Sequence, residues 1–216
     1  MKCCSHCEAA DEVFNDEFAE GDLEDYRQNG PSKQTQVILD TLKKLGVTGL
    51  TLLDIGGGVG AIHHELLKAG AESAVDVDAS GPYIAASRKE AQRLGHLDRI
   101  TYRKGDFVAL AEAIDPADIV TLDRVVCCYP DMPALVNASA ARAHKMYALV
   151  FPVDRWYTRI GVRVINFFQW VSRDPFRFFI HPTAEVDALI QQQGLRQHLH
   201  QKGTLWQVMV YTRPVN

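Results

Sequence analysis

The sequence predicts an α/β protein: a doubly wound, mostly parallel seven-stranded sheet that ends in an antiparallel hairpin. Three observations predict it. Short apolar runs of strand length alternate with helical segments between residues 50 and 151, which is the pattern of βαβ units whose sheet is covered on both faces. Glycines crowd the turn after the first of those runs, at Gly56, Gly57, Gly58 and Gly60. Two more strand-like runs within 196–213 flank Lys202-Gly203 with no helix between them, so the last strand runs antiparallel.

The elements follow in order. Residues 1–29 are polar and acidic and read as a loose tail or a lid; residues 30–216 carry the domain. The segment 30–46 has the apolar spacing of a helix at Val37, Ile38, Leu42 and Leu45, with Pro31 expected at its first position and Gly46 as its stop. Strands are expected at 50–55, 73–77, 99–103, 118–122 and 147–151, and helices at 61–70 and 83–95, both ending at glycine. The insertion 152–182 lies between the fifth strand and the last helix. It holds Trp156, Tyr157, Phe167, Phe168, Trp170, Phe176, Phe178 and Phe179 among Arg155, Arg159, Arg163, Arg173 and Arg177. Extra length here is expected to cap a substrate, its arginines suiting an anionic acceptor or anionic membrane lipids. The plainer alternative is an amphipathic helix on the sheet with solvated arginines.

Composition narrows the function. A 216-residue chain of 24.1 kDa with 47% apolar residues buries a real core. A net charge of -4 gives no basic excess, so nucleic acid is not an expected partner. No apolar leader is visible at the N-terminus, and no run of about eighteen apolar residues marks a transmembrane helix. Five cysteines in two clusters do not form a disulfide framework, and a reduced, cytoplasmic protein is expected.

"LLDIGGGVGA" (52–61) carries the strongest chemical signal. Glycines let the backbone turn sharply and let a ligand approach the main chain, at the strand ends where open α/β sheets bind ligands. Gly56, Gly58 and Ala61 satisfy the relaxed dinucleotide pattern, so a nicotinamide oxidoreductase is one reading. S-adenosylmethionine (SAM) is the other, and Asp54 favours it: a carboxylate suits a ligand with an ammonium and a sulfonium and is awkward beside a pyrophosphate. Asp78, with Ala79 after it, ends the next strand about twenty residues on, where an acid accepts ribose hydroxyls. Asp106 and Phe107 follow the third strand, where an acid accepts an exocyclic adenine amine.

These motifs, with "AVDVDAS", "RITYRKGDF" and "DIVTLDRVVCCYPD" in order, resemble the class I SAM-dependent methyltransferases over residues 30–213, and the terminal hairpin matches that Rossmann-like fold. Within the class the chain looks like small-molecule methyltransferases and is faintly similar to magnesium-protoporphyrin O-methyltransferases. The resemblance implies loop glycines at Gly56 and Gly58, a close-packing glycine at Gly60, a loop acid at Asp54, a ribose acid at Asp78, an adenine site at Asp106 and Phe107, and a polar position beside the methyl donor at Asp123. Gly57 stands where a cysteine, serine or threonine is common. Tyr26 and Arg27 are candidates to close over the SAM carboxylate, against the alternative of a plain loop before the helix.

Methyl transfer from a sulfonium is an in-line displacement that needs positioning first, and a base only where the acceptor is protonated. Candidates for that role are Asp123, Tyr129, Asp131 and His181. His63 and His64 are expected on the helix surface. Cys3, Cys4, His6 and Cys7 crowd too closely for an ordinary zinc site. A third reading has this tail joining Cys127 and Cys128 in a thiol-rich pocket for a soft metal or for a metalloid acceptor such as arsenite.

Overall fold

A computed structural model describes residues 5–214. The strands are β1 (Thr51–Ile55), β2 (Ser73–Asp78), β3 (Ile100–Lys104), β4 (Ala117–Asp123), β5 (Ala143–Pro152), β6 (Arg196–Lys202) and β7 (Trp206–Thr212). They form one seven-stranded sheet in the order β3-β2-β1-β4-β5-β7-β6. β1 to β5 pair in parallel, and β7 is antiparallel to both β5 and β6. The strand order reverses between β1 and β4, and the crevice at such a switch point is where this architecture binds ligands.

The helices are α1 (Ser5–Val13), α2 (Asp16–Asn29), α3 (Lys33–Leu45), α4 (Ala61–Lys68), α5 (Gly81–Leu94), α6 (Phe107–Leu110), α7 (Met132–Ala140), α8 (Trp156–Val171) and α9 (Thr183–Gln192). Strand alternation sends successive side chains to opposite faces. Leu52 and Ile119 therefore join Ile38, Leu42, Ile62 and Leu66 in one core. Leu53, Ile55, Val120 and Leu122 join Leu135, Val186 and Ile190 in the other. Pro31 lies outside α3; Ser32 caps it, its side chain accepting from Thr35 N.

Residues 5–29 form two helices packed over the switch point. α2 is capped by Asn15, which accepts from Glu17 N and Phe18 N. Its Ala19, Leu23 and Tyr26 bury a small third cluster with Val59, Tyr83 and Ala86. Polar ties complete the attachment: Tyr83 Oη donates to Asp22 (2.5 Å), Ser80 Oγ to the Phe14 carbonyl (2.7 Å), and Lys104 pairs with Asp11 (2.7 Å).

Candidate active site at the strand ends

A cavity of about 380 Å³ opens over the carboxyl ends of β1, β2 and β4. Its floor is Ile55–Val59, its sides are Val77–Ala79, Gly105–Phe107 and Asp123–Val125, and its cover comes from Cys7, Ala10, Phe14, Asp22 and Tyr26. Six aspartates and one arginine stand on this wall among the described residues: Asp22, Asp25, Asp54, Asp78, Asp106, Asp123 and Arg124. Such a field favours a cation and opposes a pyrophosphate.

The glycine loop is dictated by its neighbours. Gly56 and Gly58 have φ of +65° and +58°, a region that costs other residues strain. Gly57 is required sterically: a Cβ there would stand 2.5 Å from Asp76 Oδ1 and 3.1 Å from Asp54 Oδ2. Gly60, at φ +87°, leaves room for the His63 ring and for His64 Nε2, which a Cβ would meet at 2.6 Å.

His63 and His64 are fully buried, contrary to the surface placement expected. Alternation puts Asp54 on the Leu52 side of β1, the side that α4 covers. Ile62, His63, Leu66 and Leu67 form the sheet-facing stripe of α4. His63 Nδ1 thus reaches Asp54 Oδ2 at 2.9 Å, and its Nε2 reaches Ser87 Oγ at 3.0 Å. Thr121 Oγ1 donates to the other Asp54 oxygen at 2.6 Å. His64 meets His96 at 2.9 Å; burial, and then the neighbouring His63 and His96, push its pKa down to about 2, so it is neutral.

Asp78 accepts from Gly58 N (3.0 Å) and Ser80 N (2.8 Å). Burial outweighs those bonds and raises its pKa to about 6. Burial, followed by the charges of Asp78 and Asp54, holds Asp76 well above the ordinary carboxylate range. Asp106 caps α6 through Val108 N, and Tyr129 Oη donates to both its oxygens at 3.0 and 3.2 Å.

At the end of β4, Asp123 Oδ2 accepts from Thr35 Oγ1 at 2.5 Å. That hydroxyl has one proton, so Ser32 Oγ, 2.8 Å away, donates to Thr35 and accepts from Arg124 Nη2 at 2.6 Å. Asp123 Oδ1 is buried with no hydrogen-bond partner, and burial raises the carboxyl's pKa. Arg124 itself sits at φ +62°, the kind of backbone strain that persists at functional sites.

The other expected residues separate. Tyr26 lines the cavity and donates to Glu65 at 3.0 Å, but Arg27 turns away to Glu90 at 2.8 Å and is not on the wall. His181 is also off the wall; it contacts the Tyr129 carbonyl at 3.1 Å, and burial lowers its pKa. Asp131 caps α7 through Ala134 N. No residue of the insertion 152–182 lines this cavity. The insertion does reach the back of the site, where Phe176 packs edge-on against Phe14 and Phe179 N donates to the Cys127 carbonyl. Cys127 and Cys128 stand with Sγ atoms 3.6 Å apart, and that contact, then burial, raises the Cys128 thiol well above its usual range. Cys7 and Cys128 both line the cavity. Cys3 and Cys4 lie outside the described residues, as does the His6 side chain, and no metal-holding group of His, Cys, Asp or Glu occurs among the described ones.

Thr35, Ser32, Tyr83 and Arg124 were absent from the sequence-based site. Arg124 had a signal, since it follows Asp123 at the strand end. Thr35 lies 88 residues from its partner and had none.

Comparison with known proteins agrees with this geometry. Residues 52–145 match the family model described as "Methyltransferase domain". A ribosomal protein L11 methyltransferase of Escherichia coli is 38% identical over 71 residues, 33% of this chain and 24% of that protein, so the match spans about a quarter of the curated relative. Magnesium protoporphyrin IX methyltransferase from Synechocystis PCC 6803, solved with bound S-adenosylhomocysteine (SAH), superposes with a TM-score of 0.71 at 19% identity, covering 97% of this chain and 100% of that one. An O-methyltransferase family 2 protein from Planctomyces limnophilus, in complex with apigenin, gives 0.65 at 15% identity over 93% of this chain and 62% of that one. Residues 52–145 therefore carry the sequence signature of a methyltransferase domain, and the chain has the fold of the methyltransferases it superposes on, one of them solved with bound SAH.

Proposed function

We propose that the protein transfers the methyl group of SAM to a small-molecule acceptor within the covered cavity. The carrying observation is the ring of carboxylates around the glycine loop, with one arginine among them. Bound there, SAM would supply an electrophilic methyl on a cationic sulfur. Gly56 and Gly58 admit the ligand to the main chain, and Asp54, held from behind by His63 and Thr121, supplies negative charge. Asp78 accepts ribose hydroxyls and is backed by Ala79, while Asp106 and Phe107 hold the adenine, with Tyr129 positioning Asp106 rather than meeting the acceptor. Asp123 lines the cavity, its buried Oδ1 3.7 Å from Arg124 Nε, and takes the acceptor's proton where there is one. The helices of residues 5–29 act as a lid that excludes water. The molecules named with two solved neighbours, magnesium protoporphyrin IX in one protein's name and apigenin in the other's complex, support a small aromatic acceptor.

Calorimetry with SAH tests the cofactor site: binding is expected, and Asp78→Ala should weaken it. Binding of NADH in place of SAH would overturn the reading and restore the oxidoreductase. Incubation of a size-fractionated cell extract with methyl-labelled SAM tests the acceptor. Label confined to precipitable protein or RNA would refute the small-molecule assignment.

A further inference from the structure

α8 is a helix that the fold does not need for its core. Of its sixteen residues only Thr158 is buried. Val162, Asn166 and Gln169 share that side at intermediate exposure. The opposite side is an uninterrupted apolar stripe. Trp156, Ile160, Val164, Phe167, Phe168 and Val171 fall at i, i+4, i+8, i+11, i+12 and i+15, within one face of a helix. Trp156 is 73% exposed and Phe168 64%. A run of large apolar side chains this exposed marks an interaction surface.

Charge selects the partner. Residues 155–177 carry five arginines and a single acid, Asp174, in a chain whose net charge is -4. Arg159 pairs with Asp154 (2.6 Å), whereas Arg155, Arg163 and Arg173 have no carboxylate within ion-pair distance among the described residues. Arg159 and Arg163 border the stripe. At about 1.5 Å per residue α8 is roughly 24 Å long, too short to span a bilayer core of about 30 Å. No described helix is long and apolar enough to cross a membrane. Aromatic and apolar groups on one face, arginines at its edge and no acid within the helix are the composition of a helix lying in a membrane interface. A second copy of the chain fits less well, because a symmetric contact would bring the arginines of both copies together with no acid on either helix.

We infer that α8 docks the protein on an anionic lipid surface, its apolar stripe entering the headgroup boundary and Arg155, Arg163 and Arg173 facing the lipid phosphates. The chain after α8 runs through Phe176, which packs on Phe14 of the cavity cover, to Phe179, which is bonded to Cys127 behind the cavity. Docking therefore sets the covered site close to the bilayer, where an acceptor partitioned into lipid would be found.

Co-sedimentation of the full chain with phosphatidylcholine vesicles, with and without phosphatidylglycerol, tests this. Binding is expected to the anionic vesicles and to fall with salt. Arg155→Gln with Arg163→Gln should lower the partition coefficient at least about tenfold, and Phe167→Ser with Phe168→Ser should do the same. Both variants should keep the SAH affinity and melting midpoint of the parent, since none of these residues lines the cavity. Failure of the parent to bind anionic vesicles at low ionic strength overturns the inference. So does equal binding to vesicles lacking phosphatidylglycerol, or a concentration-dependent dimer that Phe167→Ser abolishes while vesicle binding is absent.

Discussion

His63 Nδ1 lies 2.9 Å from Asp54 Oδ2, and both side chains are buried beneath the glycine loop. The histidine is therefore the support that lets a carboxylate stand beside the glycine loop with both oxygens engaged. His63→Leu keeps the volume but leaves Asp54 Oδ2 without a donor, and an unmet buried acceptor costs about 1–3 kcal/mol. Urea denaturation is expected to show that loss. His63→Asn, whose amide can take the Nδ1 position, should recover part of it, and SAH affinity should follow the same order.

Gly57 yields a prediction in which steric and sequence reasoning oppose each other. The resemblance to the methyltransferase class implies a cysteine, serine or threonine there, but in this chain the Asp76 carboxylate occupies the space a Cβ would take. Gly57→Ser should destabilise the protein by about 1–3 kcal/mol, the usual range for overpacking. In an Asp76→Ala background the same substitution should cost less, the Asp54 contact at 3.1 Å remaining. A double-mutant cycle read by thermal denaturation measures this coupling, and simple additivity would show that Asp76 is not the obstacle.

Much of this site was legible because its residues sit at strand ends, where local pattern places them: Asp54, Gly56, Gly57, Gly58, Asp78, Asp106 and Asp123 all line the cavity. The burial of the histidines follows period and not polarity. His63 lies three and four residues before Leu66 and Leu67, so it shares their buried stripe. Composition does not tell which way an aromatic helix faces, and on α8 the large apolar side chains face out. Arg27 and Thr35 could not be placed because their partners, Glu90 and Asp123, lie 63 and 88 residues away.

Asp78 predicts a pH dependence with opposite signs for stability and binding. Its carboxyl is raised from 3.8 to about 6 in the folded state. The native state thus holds that proton more tightly than the unfolded chain does. The stability it gives is complete below about pH 4 and is lost as pH rises through about 6. Asp78→Asn has no such proton, so its stability relative to the parent should improve by about 2–3 kcal/mol between pH 4 and 7. Ribose hydroxyls need the ionised acceptor, so SAH affinity of the parent should instead rise about tenfold from pH 5 to 7. A flat affinity over that range would remove Asp78 from the ribose site.

The Thr35–Asp123 bond predicts a kinetic effect. Thr35 Oγ1 is the only hydrogen-bond donor to the Asp123 carboxylate among the described residues; the other oxygen has no hydrogen bond and faces Arg124 Nε at 3.7 Å. A bond to the charged form lowers a carboxyl's pKa, so Thr35→Val should raise it further above its ordinary value. If Asp123 takes the acceptor's proton, the acid limb of the kcat/KM profile must then move to higher pH, and Thr35→Ser, which keeps the hydroxyl, must return it. Asp123→Asn should remove the limb and most of the turnover, while SAH binding persists. The measurement separates chemistry from packing: a purely structural role for Thr35 would lower kcat/KM equally at every pH, because lost packing at the start of α3 carries no proton.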